Sequence, residues 1–247
     1  MLVKGIIFDI NGTLVNIRTD EGHEEIYRVI SNLLSYQGIS LDPKALKDLY
    51  FQKMKEQRTA SSERHPEFDA VGIFREIITL YATDFTRGLP SQKLEQLPTL
   101  LAETYRAASR FRLQVYPGVE DTMAHLHSKY HLAAITDAQT AYAVPELNAV
   151  GLCGYFDPII VSGDVGYRKP HERLFTAALT AMNMEPSEVL YVGNDMYRDV
   201  YGGQRIGIKT VFFKSNQGTQ EKEGVNPDYI IYNFSELLNA IRFFEDQ

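Results

Sequence analysis

The 247-residue chain contains no tryptophan and a single cysteine, Cys153. One thiol excludes an internal disulfide and a cysteine-rich zinc site. Set in the apolar turn Gly151-Leu152-Cys153-Gly154, it reads as a buried structural thiol rather than a nucleophile. No apolar run approaches the length that crosses a bilayer, and the opening MLVKGIIFDI is too short and too soon charged for a signal peptide. A cytoplasmic protein is the expectation. Positive charge is scarce: 25 Lys and Arg against 32 Asp and Glu leave −7. That balance argues against a nucleic-acid or acidic-membrane surface, though not against a local basic pocket for an anion. The six histidines show no metal-ligand spacing; His125 and His127, two apart, cannot share a helix face. A Walker-type phosphate loop, internal repeats and low-complexity segments are also missing. What remains is ordinary globular composition, 44% hydrophobic and 23% charged. At this length the chain holds one large domain or a core with an insertion, and needs no metal or disulfide to fold.

Six short apolar runs read as buried strands: Val3 to Phe8, Leu132 to Ile135, Ile159 to Val161, Val189 to Val192, Thr210 to Phe213 and Tyr229 to Ile231. From residue 116 onward they alternate with helical segments at Val119–Ser128, His171–Met182 and Asp199–Ile206. Such alternation implies a parallel sheet covered on both faces. Residues 17–112 break the pattern and read as helix after helix. Ile26, Val29, Ile30, Leu33 and Leu34 lie on one apolar face, as do Leu46, Leu49 and Tyr50, then Phe74, Ile77, Ile78 and Tyr81, then Leu94, Leu97 and Leu101. The polar run Arg58 to His65 reads as a solvated loop between two of these helices. The expected fold class is therefore α/β, a doubly wound Rossmann-like core of residues 1–15 and 113–247, with an all-α cap inserted at 16–112.

Strand one runs into Phe8-Asp9-Ile10-Asn11-Gly12-Thr13. In open parallel sheets ligands bind beyond the carboxyl ends of the strands, which is where Asp9 falls. A carboxylate there can attack an electrophile and form a covalent intermediate. Gly12 permits a sharp turn, and Thr13 can hydrogen-bond the carboxylate. Asp-x-Asn-Gly is also ordinary turn composition, so this motif alone leaves a capping Asp equally plausible. Three more strand-end features favour a site: Thr136 after Leu132–Ile135, Lys169 at the start of a helix, and Gly193-Asn194-Asp195-Met196-Tyr197-Arg198-Asp199 past a strand. A lysine at a helix start suits an anion. Carboxylates at strand ends suit Mg²⁺, a hard cation that prefers oxygen.

The order Asp-x-x-Gly-Thr, Thr, Lys-Pro, Gly-Asn-Asp-x-x-x-Asp resembles the four motifs of the haloacid-dehalogenase-like hydrolases, and the likeness covers the whole chain. It implies Asp9 as nucleophile, Thr136 as a phosphate hydrogen-bond donor and Lys169 as the charge that stabilises the bound group. It further implies Mg²⁺ on the Asp9 side chain, the Asn11 main-chain carbonyl and a carboxylate from Asp195 or Asp199. Thr13, Asp137 and Arg18 are candidates for further contacts to phosphate or substrate. Only 169 − 136 = 33 residues separate Thr136 from Lys169, too few for a second cap.

Two positions depart from the family pattern. Asn11 stands where the phosphatases carry an acid/base Asp, and an amide neither donates a proton efficiently nor activates water. General acid–base help is worth about 10²–10⁴-fold in rate. Alkyl phosphates should therefore turn over slowly unless Asp20, Glu21 or Asp137 carries the proton. Asn194 stands where Asp is commoner, which leaves the choice of metal ligand open. The favoured function is a Mg²⁺-dependent phosphatase acting on a small phosphorylated metabolite through an aspartyl-phosphate on Asp9, with no nucleic-acid or membrane partner. The alternatives are a 2-haloacid dehalogenase and a catalytically weakened phosphate-ligand sensor.

Overall fold

The computed structural model describes residues 1–246. Strand β1 (Gly5–Phe8) leads to β2 (Val15–Thr19), then to helices α1 (Glu24–Ser35), α2 (Pro43–Ala60), α3 (Ala70–Tyr81), α4 (Asp84–Arg87) and α5 (Ser91–Ser109), and to β3 (Arg110–Val115). Helices and strands then alternate: α6 (Val119–His127), β4 (His131–Thr136), α7 (Thr140–Ala149), β5 (Ile159–Val161), α8 (Ser162–Val165), α9 (Glu172–Met182) and β6 (Val189–Gly193). A π-helical turn at Met196–Tyr201 runs into α10 (Gly202–Gln204), before β7 (Lys209–Phe213), β8 (Tyr229–Ile231) and α11 (Leu237–Glu245).

Six strands form one parallel sheet in the order β5-β4-β1-β6-β7-β8. The chain steps outward from β1 to β4 and β5, then returns to the other side of β1 for β6, β7 and β8. This is the doubly wound Rossmann-like order expected from the sequence, and the reversal falls between β1 and β6. Every residue of β1 and β6 is buried, because helices cover both faces of the sheet. Alternate side chains go to opposite faces, as the pleat requires. Ile6, Phe8, Ala134 and Val192 pack with Met123 and Leu126 of α6 and Ile241 and Phe244 of α11. Ile7, Ala133, Ile135 and Tyr191 pack with Leu174, Phe175 and Ala178 of α9.

The helices between β2 and β3 bury their apolar faces in a separate cluster. It contains Ile26, Ile30 and Leu34, Leu46 and Tyr50, Phe74 and Ile77, and Leu97, Leu101 and Tyr105. Tyr81, assigned to the same face, instead lies exposed at the end of α3. Tyr142 of α7 joins this cluster from the sheet side. One turn along, the Glu146 carboxylate accepts from Arg106 Nε at 2.7 Å, Arg106 Nη2 at 3.1 Å and Arg110 Nη1 at 3.3 Å. Helix α7 is thus a seat for the helical block.

Two stretches differ from the helix-only reading of residues 17–112. β2 and β3 pair antiparallel, with Val15 opposite Val115, Ile17 opposite Leu113 and Arg18 opposite Arg112. Val-Asn-Ile and Phe-Arg-Leu-Gln-Val alternate apolar and polar with period two, which is a strand signal. The end of the polar run after α2 is not free in solvent: it docks on the sheet side. Arg168 N–H donates to the His65 carbonyl at 2.8 Å and Glu67 N–H to the Gly166 carbonyl at 2.9 Å. Gln139 holds the next turn, donating to the Phe68 carbonyl at 2.6 Å and accepting from Ala70 N–H at 3.0 Å.

Candidate active site

Asp9 is the first residue beyond β1, and its N–H donates to the Val192 carbonyl of β6 at 2.9 Å. The Ile10 carbonyl accepts from the N–H groups of Thr13, Leu14 and Val15, closing a tight turn. Gly12 sits in that turn at φ +93°, and a Cβ there would lie 2.3 Å from Asn194 Nδ2. Both the backbone and the space therefore require glycine. The Thr13 hydroxyl lies 2.8 Å from Asp9 Oδ2 and 3.1 Å from Asn194 Oδ1, tying the β1 turn to the β6 loop.

Lys169 is the centre of the site. Its three ammonium N–H donors face four oxygens: Asp9 Oδ1 at 2.6 Å, Asp199 Oδ1 at 2.7 Å, Tyr191 Oη at 3.2 Å and the Ile135 carbonyl at 3.3 Å. The side chain is 2% exposed. Burial would lower its pKa, but the facing Asp199 and Asp9 carboxylates hold it well above the ordinary lysine range. Burial pushes the Asp199 carboxyl up to about 6, against the pull of Lys169 and with the Asp9 charge adding to the push. Such a concentration of buried charge is costly unless paired, and here one cation faces two carboxylates.

The Gly193–Asp199 loop divides Asn194, Asp195 and Asp199 by role. Asp199 Oδ2 accepts from the N–H groups of Asn194 at 3.0 Å and Asp195 at 2.9 Å, while its Oδ1 takes Lys169 and the Tyr191 hydroxyl. Asp195 caps the π turn: Oδ1 accepts from Tyr197 and Arg198 N–H, and Oδ2 from Arg198 Nε and Thr219 N–H, each at 2.8–3.0 Å. Those N–H groups and the Arg198 guanidinium outweigh burial and hold the Asp195 carboxyl below its ordinary value. Both carboxylates thus spend their oxygens on protein donors. Among the described residues no three Asp, Glu, His or Cys side chains gather closely enough to hold a metal. The oxygens left on this side are the Asp9 carboxylate, the Asn194 side-chain oxygen joined to it through Thr13, and the Asn11 carbonyl on the same turn. One carboxylate with neutral oxygens suits Mg²⁺, which keeps several waters and takes substrate phosphate as a ligand.

At the end of β4, the buried Thr136 hydroxyl has no hydrogen-bond partner. Next to it, Asp137 Oδ1 accepts from the Lys169 N–H at 2.9 Å, while Oδ2 is buried without a hydrogen bond and lies 3.7 Å from Arg198 Nη1. Arg18 stands apart from this group. It is exposed on β2 and lines a surface cavity with Thr19, Asp20, Phe111 and Arg112. Two contributors escaped the sequence reading. Tyr191 bonds Lys169 and Asp199 from within β6, and Arg198 braces Asp195 and faces Asp137. A phenol hydroxyl in the otherwise apolar run Val-Leu-Tyr-Val was the available signal for the first.

The sequence model of the haloacid dehalogenase-like hydrolases matches residues 6–213, which takes in all these strand-end residues. The chain belongs to that family. Relatives include the glyceraldehyde 3-phosphate phosphatases of Pyrococcus furiosus and Methanothermobacter thermautotrophicus. The first is 31% identical over 134 residues, 52% of this chain and about half (55%) of that protein. The second is 24% identical over 243 residues, 91% of each. Among solved structures, the 2-haloacid dehalogenase of Pseudomonas syringae superposes with a TM-score of 0.68 at 20% identity, covering 98% of this chain and 100% of that one. At that identity the likeness speaks for the shared fold of the family. No helix among the described residues is long and apolar enough to cross a membrane.

Proposed function

We propose that the chain is a Mg²⁺-dependent phosphatase of small phosphorylated metabolites that works through an aspartyl-phosphate on Asp9. The carrying observation is the buried, unpartnered Thr136 hydroxyl, on the residue between Ile135 and Asp137, both of which accept from Lys169, the partner of Asp9. A buried donor without an acceptor is destabilising by about 1–3 kcal/mol, and a phosphoryl oxygen supplies the acceptor. The full-length phosphatase relatives support the same reading.

Asp9 Oδ2, oriented by the Thr13 hydroxyl, is the attacking oxygen, while Lys169 holds Oδ1 and fixes the carboxylate plane. Lys169 then places its positive charge beside the transferring group, and Thr136 donates to one of its oxygens. Phosphoryl transfer asks mainly for such positioning and charge stabilisation. Mg²⁺, when bound by Asp9, the Asn11 carbonyl and Asn194, would neutralise further charge on the phosphate. Asp199 and Tyr191 hold the lysine ammonium in place, and Asp195 holds the loop that presents Asn194. The helices of residues 16–112 serve as a cap that excludes water from this chemistry.

Phosphate release from a panel of alkyl phosphates and acyl phosphates, with and without Mg²⁺, tests the reading. Turnover should require Mg²⁺ and disappear in a folded Asp9→Asn variant. Activity that survives either change, or halide release from a 2-halo acid without phosphate release, would overturn it.

A further inference from the structure

An amide at position 11 leaves the proposed reaction without its proton carrier, and the structure narrows the replacement to one group. Asp195 and Asp199 have both oxygens engaged by protein donors. Asp20 is exposed and accepts from Gly22 N–H, and the Glu21 side chain is 44% exposed. The Tyr191 hydroxyl is bound to Asp199. Asp137 differs from all of these. One oxygen is anchored by the main chain of Lys169, and the other is buried with no hydrogen bond, 3.7 Å from Arg198 Nη1, on the residue after the unpartnered Thr136. A carboxylate ion would repel a phosphate ester arriving at Thr136, whereas a carboxylic acid would donate to it.

The geometry points to Asp137 as the general acid and base of the proposed phosphatase, taking the part that Asn11 cannot. This inference rests on the aspartyl-phosphate reading. In the first step Asp9 attacks phosphorus, the bond to the ester oxygen breaks, and the Asp137 carboxylic acid passes its proton to that oxygen, releasing an alcohol. In the second, Asp137 as carboxylate takes a proton from water. The water oxygen bonds phosphorus, the Asp9–phosphorus bond breaks, and both carboxyl groups return to their starting states with phosphate released.

The surroundings shift Asp137 toward its protonated form. Burial raises the Asp137 pKa; the Lys169 ammonium, its N–H and Arg198 oppose this, and Asp199 adds to the rise. Across the seam, Glu67 and His65 also bear on this position, and Arg168 bears on both of them. A raised pKa keeps the acid form to higher pH, so kcat/KM for an alkyl phosphate should fall as pH climbs through that value. An acyl phosphate has a leaving group that needs no proton, so its first step should lack that limb.

The test compares glycerol phosphate and acetyl phosphate in wild type, Asp137→Asn and Asp137→Asn/Asn11→Asp. Asp137→Asn keeps the shape and the acceptor for Lys169 N–H. It should slow glycerol phosphate turnover about 10²-fold or more. With acetyl phosphate it should give a burst of about one equivalent of acid-trappable aspartyl-phosphate, as breakdown becomes limiting. Adding Asn11→Asp should restore turnover, which it would not do for a merely structural defect. Unchanged turnover and pH profile in Asp137→Asn, or a loss that Asn11→Asp leaves in place, would overturn the assignment. Should Asp137→Asn not fold, the two wild-type pH profiles decide, and identical profiles for the two substrates refute it. A wild type that hydrolyses neither substrate and traps no phosphate on Asp9 removes the underlying phosphatase reading instead.

Discussion

Replacing Lys169 by Met keeps an unbranched apolar stem and removes the ammonium with its charge and hydrogen bonds. Asp9 and Asp199, whose side chains are 7% and 2% exposed, would then share a buried site with no cation. Breaking a buried pair by removing one partner is destabilising by about 3–5 kcal/mol. Against a total of roughly 5–15 kcal/mol this is a large fraction. For a chain of this size it corresponds to a fall in Tm of roughly 6–20 °C. Urea unfolding followed by circular dichroism measures the loss directly. The pH dependence carries a definite sign. With Lys169 present, Asp199 already titrates near 6 rather than 3.8, because burial disfavours its charged form. Without the lysine, the Asp199 carboxyl is pushed further up. The native state then holds protons that the unfolded chain has released, and stability falls as pH rises through this interval. The deficit of Lys169→Met should therefore be largest at neutral pH and shrink on acidification towards 4. Adding Asp199→Asn removes one uncompensated charge and should recover at least about 1 kcal/mol. A loss under about 1 kcal/mol that is the same at pH 4.5 and pH 7.5 would refute the claim that Lys169 neutralises this site.

Three further outcomes follow from the same geometry. Thr136→Val removes a hydroxyl with no partner, so thermal melting should show stability unchanged or raised, while inhibition by inorganic phosphate weakens about tenfold. Tyr191→Phe takes one hydrogen bond each from Lys169 and Asp199 and should destabilise by roughly 1–3 kcal/mol in urea unfolding. Arg106→Met leaves Glu146 with only the longer Arg110 contact, and limited proteolysis should show faster cleavage within residues 16–112.

The doubly wound sheet was legible because its strands are continuous apolar runs closed by Asp, Thr or Gly, and the end of a parallel strand is where ligands sit. Asp9, Thr136, Lys169, Asp195 and Asp199 could therefore be assigned to strand ends from their order alone, and the hydrogen bonds of Lys169 join Asp9 to Asp199. The two-stranded β2–β3 ribbon was not seen, although its alternation is present, because neighbouring helical periodicity masked a five- and a six-residue segment. The roles of Asp195 and Asp199 were beyond the sequence as well. Which oxygen is spent on a main-chain N–H depends on the path of a π turn, and four residues of spacing do not encode that path. Likewise, the segment around Glu67 looks like surface because its partners, Ser162, Gly166 and Gln139, lie about seventy to a hundred residues away.

That segment also bears on how substrate gets in. His65, Glu67, Phe68 and Ala70 are fastened to residues 139 and 162–168 by four bonds to main-chain groups and by the Ser162 hydroxyl on the Glu67 carboxylate at 2.8 Å. Any displacement of the helices from the sheet along this edge must release all five together. At a net 0.5–1.5 kcal/mol each, the released state lies roughly 3–7 kcal/mol higher, a population of about 1% or less. A ligand admitted only by that minority would bind more weakly by the same fraction, and affinity would then be set partly at this edge. Substitutions at Gln139 or Ser162, which need not touch the ligand at all, would then tighten apparent binding by enlarging the receptive minority.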